Sequence, residues 1–117
     1  MRSFVRRQGR LTEGQNRALE TLWDDYGLTL DAGMLDFAAL FGNANPVILE
    51  IGFGMGEGLA EIAATHPGND YLGVEVHTPG VGALLKQLGE RSLTNVRVIQ
   101  HDAVEVLTRM LAPDSLA

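Results

Sequence analysis

The feature that most constrains this chain is the stretch Val47 to Gly58, VILEIGFGMGEG. Val47-Ile48-Leu49-Glu50-Ile51 is a continuous apolar run with one acid near its end. Such a run suits a strand buried on both faces, as in a parallel sheet, and does not alternate as a half-wet strand does. Glycine then occupies positions 52, 54, 56 and 58. Glycine lets a backbone turn sharply and approach a ligand with no Cβ in the way. A plain strand-to-helix turn with Glu50 as a surface acid would explain one or two of these glycines, not four at alternate positions.

Two adenosine-containing ligands compete for such a turn. A dinucleotide site carries G-x-G-x-x-G. Counted from Gly52 and Gly54 the third glycine falls on Glu57; counted from Gly54 and Gly56 it falls on Leu59. A glutamate at the start of the following helix would also repel a pyrophosphate. S-adenosylmethionine has no phosphate and carries an ammonium and a sulfonium, so acids around the turn favour it, and Glu50 at the strand end meets that need. Glu75, near the end of the next strand, can accept from both ribose hydroxyls of an adenosine. Asp102, after the third strand, can accept from the adenine amino group. It also begins a helix-capping pair with Glu105, and the two roles are compatible.

The rest of the chain supplies the context. Thr12-Glu13-Gly14-Gln15 is a capping-box pattern, and Ala18, Leu19, Leu22, Trp23 and Tyr26 recur at helical spacing, which predicts a helix over 12–25 ended by Gly27. Residues 31–41 form a second short helix or turn, broken by Gly42 to Pro46. Strands are expected at 47–51, 71–76 and 96–100. Helices are expected at 59–65, 80–90 and 103–111. Strand and helix alternate with short connections, the pattern of βαβ units in an open α/β fold with a parallel sheet. The expected strand order is 3-2-1, with a ligand at the switch point beside the first strand. The other side of that point needs a fourth strand, which would begin where the sequence ends. The chain is therefore expected to be truncated before strand four, with residues 1–11 a basic N-terminal arm and 12–117 the N-terminal portion of a single domain. The edge of the first strand would be exposed and open to self-association.

Composition narrows the chemistry further. With no cysteine among 117 residues, a disulfide scaffold, a thiolate metal site and a cysteine nucleophile are excluded. His66, His77 and His101 have no metal-ligand spacing, and the serines sit in no nucleophile elbow, so neither a metal site nor a Ser-His-Asp triad is expected. No apolar run is long enough to span a membrane, and the arginines of the N-terminus have no apolar core behind them, so this segment does not read as a secretory signal. The formal charge of −6 is uneven: residues 1–10 hold four arginines and no acid, whereas the remainder holds five basic and fifteen acidic side chains. The acidic body is a poor surface for nucleic acid; the arm either contacts phosphates or is a solvated tail.

The strings RSFVRRQGRLTEGQ (2–15), LEIGFGMGEG (49–58), LGVEVHTPGVGALL (72–85) and NVRVIQHDAVEVL (95–107) resemble bacterial tRNA (guanine-N7)-methyltransferase. The resemblance implies a Rossmann-like, S-adenosylmethionine-dependent methyltransferase fold in a cytoplasmic enzyme. The reaction implied is methyl transfer to N7 of a guanosine in the tRNA variable loop, at tRNA position 46. The resemblance also implies cofactor roles for Glu50, Glu75 and Asp102, with Gly52, Gly54 and Gly56 shaping the turn, and tRNA contact by Arg6, Arg7 and Arg10. The family's Pro-Asp-Pro-Trp-Pro-type motif, associated with catalysis, is absent from these residues. No catalytic residue is carried over, and the 117 residues alone are expected neither to methylate tRNA nor to bind the cofactor tightly.

Overall fold

The computed structural model describes residues 11–117. The first element, helix α1 (Glu13–Tyr26), starts where the capping box predicts. Thr12 Oγ1 accepts from the Gln15 amide at 3.0 Å and Gln15 Oε1 accepts from the Thr12 amide at 3.1 Å. Its buried stripe is Ala18, Leu19 and Trp23. Strand β1 (Gly27–Leu28) follows directly, then a 3₁₀ turn at Leu30–Ala32 and a short helix α2 (Phe37–Phe41). Three strand–helix units complete the chain: β2 (Val47–Ile51) with α3 (Glu57–Thr65), β3 (Asp70–Val74) with α4 (Thr78–Glu90), and β4 (Val96–Ile99) with α5 (Ala103–Arg109).

The sheet is parallel throughout, in the order β1-β4-β3-β2. The three expected strands lie in the expected order, third-second-first. The sheet has four strands rather than three, because Gly27 and Leu28 pair with Val98 and Ile99 beyond the third. Two residues carry no periodicity, so this strand is set by packing: the Trp23 ring lies where a Cβ on Gly27 would be.

Period-2 alternation splits the core into two layers. Tyr71, Val96 and Val98 face α1, α3 and α4, against Leu19, Leu59, Leu84, Leu85 and Leu88. Leu72, Val74 and Ile99 face the other way, onto Val106 and Met110 of the α5 segment. Every residue of β3 is buried, as a central parallel strand requires. Helix α4 approaches α1 closely at Gly82, where a Cβ would stand 3.0 Å from Gln15 Cβ.

Strand β2 borders the sheet among the described residues. The Pro46 carbonyl and the Gly52 amide face β3, bonded to Asp70 N–H (2.9 Å) and Val74 O (2.7 Å). Residues 47, 49 and 51 therefore turn their backbone groups to the outer edge, where the Ala117 amide donates to Val47 O at 2.8 Å.

The end of the sheet away from the glycine turn holds the perturbed titratable groups. Arg97 donates to Val96 O (2.9 Å) and Thr94 O (3.0 Å) and lies 5.0 Å from the Phe41 ring centre. Burial pushes its pKa down and pushes those of Asp70 and Tyr26 up. The Asp70 Oδ2 atom is buried with no hydrogen-bond partner among the described residues.

Candidate cofactor site

Three of the four glycines adopt left-handed backbone: φ is 70° at Gly52, 65° at Gly54 and 85° at Gly56. An L side chain at any of them would be strained. Between them Phe53 is buried and anchors the turn, its ring set 2.9 Å from where a Cβ on Gly73 of β3 would stand. Gly56 caps α3 and abuts Leu84 of α4. Gly80, in the first turn of α4, comes so near that a Cβ there would collide with the Gly54 carbonyl oxygen. The turn is thus held from beneath by β3 and from one side by α4. Gly52 and Gly54 have nothing within 4 Å of a notional Cβ, so the open face of the turn is free of side chains. That is the shape a ligand lying against backbone requires.

The predicted acids gather at the carboxyl ends of adjacent strands. Glu50 pairs in register with Gly73. It is half-buried, and among the described residues its carboxylate has no hydrogen bond or ion pair. Glu75 follows β3 directly. Its Oε1 accepts from the Gly54 amide at 2.8 Å, and its Oε2 accepts from the amides of Val76 and His77, each at 3.1 Å. One carboxylate therefore ties the glycine turn to the β3–α4 loop. Asp102 caps α5, accepting from the Val104 amide at 2.7 Å, and is exposed. Glu105 does not return the capping bond. Its carboxylate pairs with Arg109 at 3.2 Å and lies 3.9 Å from His101. The i, i+4 arginine and histidine hold it on the helix flank.

Arg6, Arg7 and Arg10 lie outside the described residues. Sequence reasoning missed Gln100 and Thr78. Gln100 Nε2 donates to Thr78 Oγ1 at 2.8 Å and to Val76 O at 3.3 Å. Neither residue type announces a site, and their meeting depends on strand register. A separate groove of about 690 Å³ opens between the starts of α1 and α3 and the C-terminal half of α4, lined by Thr12, Glu57, Glu61, Lys86 and Arg91 among others. None of Glu50, Glu75 and Asp102 borders it. Among the described residues no cluster of three His, Asp or Glu could hold a metal ion, and no helix is long and apolar enough to cross a membrane.

A family model described as "Putative methyltransferase" matches residues 44–117, from just before β2 through the last residue. The chain belongs to this methyltransferase family. Two solved structures share the fold. Phosphoethanolamine N-methyltransferase 2 of Haemonchus contortus, in complex with S-adenosyl-L-methionine, is 22% identical with a TM-score of 0.51, over 93% of this chain and 21% of that one. An antibiotic-related methyltransferase is 18% identical with a TM-score of 0.53, over 66% of this chain and 38% of that one. Among curated relatives, the tRNA (guanine-N(7)-)-methyltransferase of Thiobacillus denitrificans is 66% identical over all 117 residues, which make up 52% of its length. The protein of the same name from Hydrogenovibrio crunogenus is 56% identical over 117 residues, 49% of its length. The chain spans about half the length of these relatives.

Proposed function

We propose that these residues form the S-adenosylmethionine-binding part of a methyltransferase acting on N7 of guanosine in tRNA. The observation that carries the reading is the glycine turn, three left-handed residues with an open face, clasped by the Glu75 carboxylate. The names of the curated relatives support guanine N7 of tRNA as the acceptor.

The chain's own residues have definable tasks. Gly52 and Gly54 leave room for the cofactor to lie on the backbone. Glu50, unpartnered among the described residues, offers a carboxylate to the methionine ammonium. Glu75 accepts three backbone amides, which fixes its carboxylate in place and leaves about one acceptor site for a ribose hydroxyl. Asp102 has one oxygen on the α5 cap and the other for the adenine amino group. When bound, the cofactor supplies a sulfonium-activated methyl group: the N7–carbon bond forms as the carbon–sulfur bond breaks, leaving a neutral thioether. Guanine N7 attacks with an in-plane lone pair and has no proton to lose, so alignment rather than a strong base is what the protein must provide. Acids around the turn favour the cationic donor over the neutral product and so aid its release. The arm residues Arg6, Arg7 and Arg10 contribute phosphate contacts.

The test is methyl transfer from labelled S-adenosylmethionine to unmodified tRNA by the full-length protein, with the methylated base located by scission at N7-methylguanosine. Glu75→Gln is expected to raise the KM for the cofactor at least about tenfold, because an amide nitrogen cannot accept from Val76 and His77. Methylation at another base, or an unchanged KM, would refute the assignment.

A further inference from the structure

Gln100 stands just past β4, level with Glu75, and its amide is placed on the cofactor loop from the side opposite the glycine turn. Its nitrogen donates to Thr78 Oγ1 and to the Val76 carbonyl. A carbonyl only accepts, so the Val76 bond fixes which end of the amide points at the loop. The Gln100 oxygen is buried and meets no donor among the described residues. A buried acceptor without a partner costs stability, so the oxygen contributes nothing to the fold. What the amide supplies is its nitrogen, and that nitrogen is spent on residues 76 and 78. The same loop is held to β4 through its backbone, where Glu75 N–H donates to Ile99 O at 3.1 Å. On its other side the Glu75 carboxylate reaches Gly54. The contacts form one path: β4 end, Gln100, Val76 and Thr78, Glu75, glycine turn.

We infer that Gln100 is a positioning residue for S-adenosylmethionine, setting the Val76–Thr78 loop so that the Glu75 carboxylate meets Gly54 and the ligand. It does not touch the reacting atoms. The inference rests on the cofactor reading above.

The experiment compares wild type, Gln100→Met and Gln100→Glu in the full-length protein, by cofactor calorimetry and steady-state kinetics. Methionine keeps the length without a polar end, and glutamate keeps the shape without the donor. Both are expected to raise the Kd and KM for S-adenosylmethionine about tenfold while kcat changes less than twofold and the melting temperature of Gln100→Met holds within about 3 °C. Thr78→Val, which removes the shorter bond from the other side, is expected to weaken binding severalfold. It should add little when combined with Gln100→Met, because both act on one contact. It also stands in should a Gln100 variant fail to fold. Wild type that binds no S-adenosylmethionine would sink the cofactor reading itself. Wild type that binds, with variants binding within twofold of it or losing kcat at unchanged KM, would overturn the role of Gln100 alone.

Discussion

Replacing Gly56 by alanine separates the architectural glycines of the turn from those on its open face. Gly56 has φ 85°, and a Cβ there would stand 2.7 Å from Leu84 Cβ, 2.9 Å from Leu84 Cδ1 and 3.1 Å from Leu84 Cα. Left-handed backbone costs a non-glycine residue about 1–2 kcal/mol. Overpacking a filled core adds about 1–3 kcal/mol. Leu84 is fully buried, and one of its three close atoms is helix backbone, so a rotamer change does not relieve the clash. Gly56→Ala is therefore expected to lose about 2–5 kcal/mol of stability, a large share of what a small domain has. Gly54→Ala is the control. Its φ is 65°, but nothing lies within 4 Å of the added carbon, so only the backbone cost of about 1–2 kcal/mol applies. Its methyl group would instead project into the open face and impair cofactor binding. Urea unfolding followed by circular dichroism measures both midpoints, at an unchanged slope if two-state behaviour holds. If the two variants unfold at the same urea concentration, Leu84 is not the constraint on Gly56 and the reasoning fails.

Two other perturbations test the remaining structure. Burial raises the Asp70 pKa above 3.8, so the folded state holds this proton to higher pH than the unfolded chain. Stability from this group is then greatest below that value and falls as pH rises through the folded pKa. Asp70→Asn should flatten that slope and raise the unfolding midpoint at pH 7; an unaltered pH profile would count against it. Gly80→Ala reverses an ordinary rule. Alanine for glycine in a helix gains about 1 kcal/mol, whereas here the new Cβ would collide with the Gly54 carbonyl oxygen. Lower stability and weaker cofactor binding together are expected, and a more stable variant would show that α4 does not press on the turn.

The parts of the site legible in the sequence were those whose cause is local. Alternate glycines announce left-handed backbone, and the apolar run before them announces a buried parallel strand. The placement of Glu50, Glu75 and Asp102 at one end of the sheet was legible because strand ends in such sheets converge on one side. What Glu75 does in detail was not: its bond to Gly54 spans 21 residues and exists only because β3 lies beside β2. Gln100 was hidden for the same reason, 22 residues from Thr78. The two-residue strand β1 was hidden by its shortness, and Gly27 read only as a helix stop. Asp102 with Glu105 gave half of its pattern, since Arg109 and His101 sit where Glu105 prefers to reach.

The three bonds that hold the Glu75 carboxylate all come from main-chain N–H groups, at positions 54, 76 and 77. Those donors are present whatever side chains the positions carry, proline excepted. Val76 and His77 can therefore drift in sequence, as far as this contact is concerned, without weakening the clasp. Position 75 has no such latitude, because the acceptor is a side chain and few residues offer two charged oxygens at that reach. The demand of this contact on the loop is thereby lopsided: one fixed side chain at position 75 beside two positions whose side chains it leaves unconstrained.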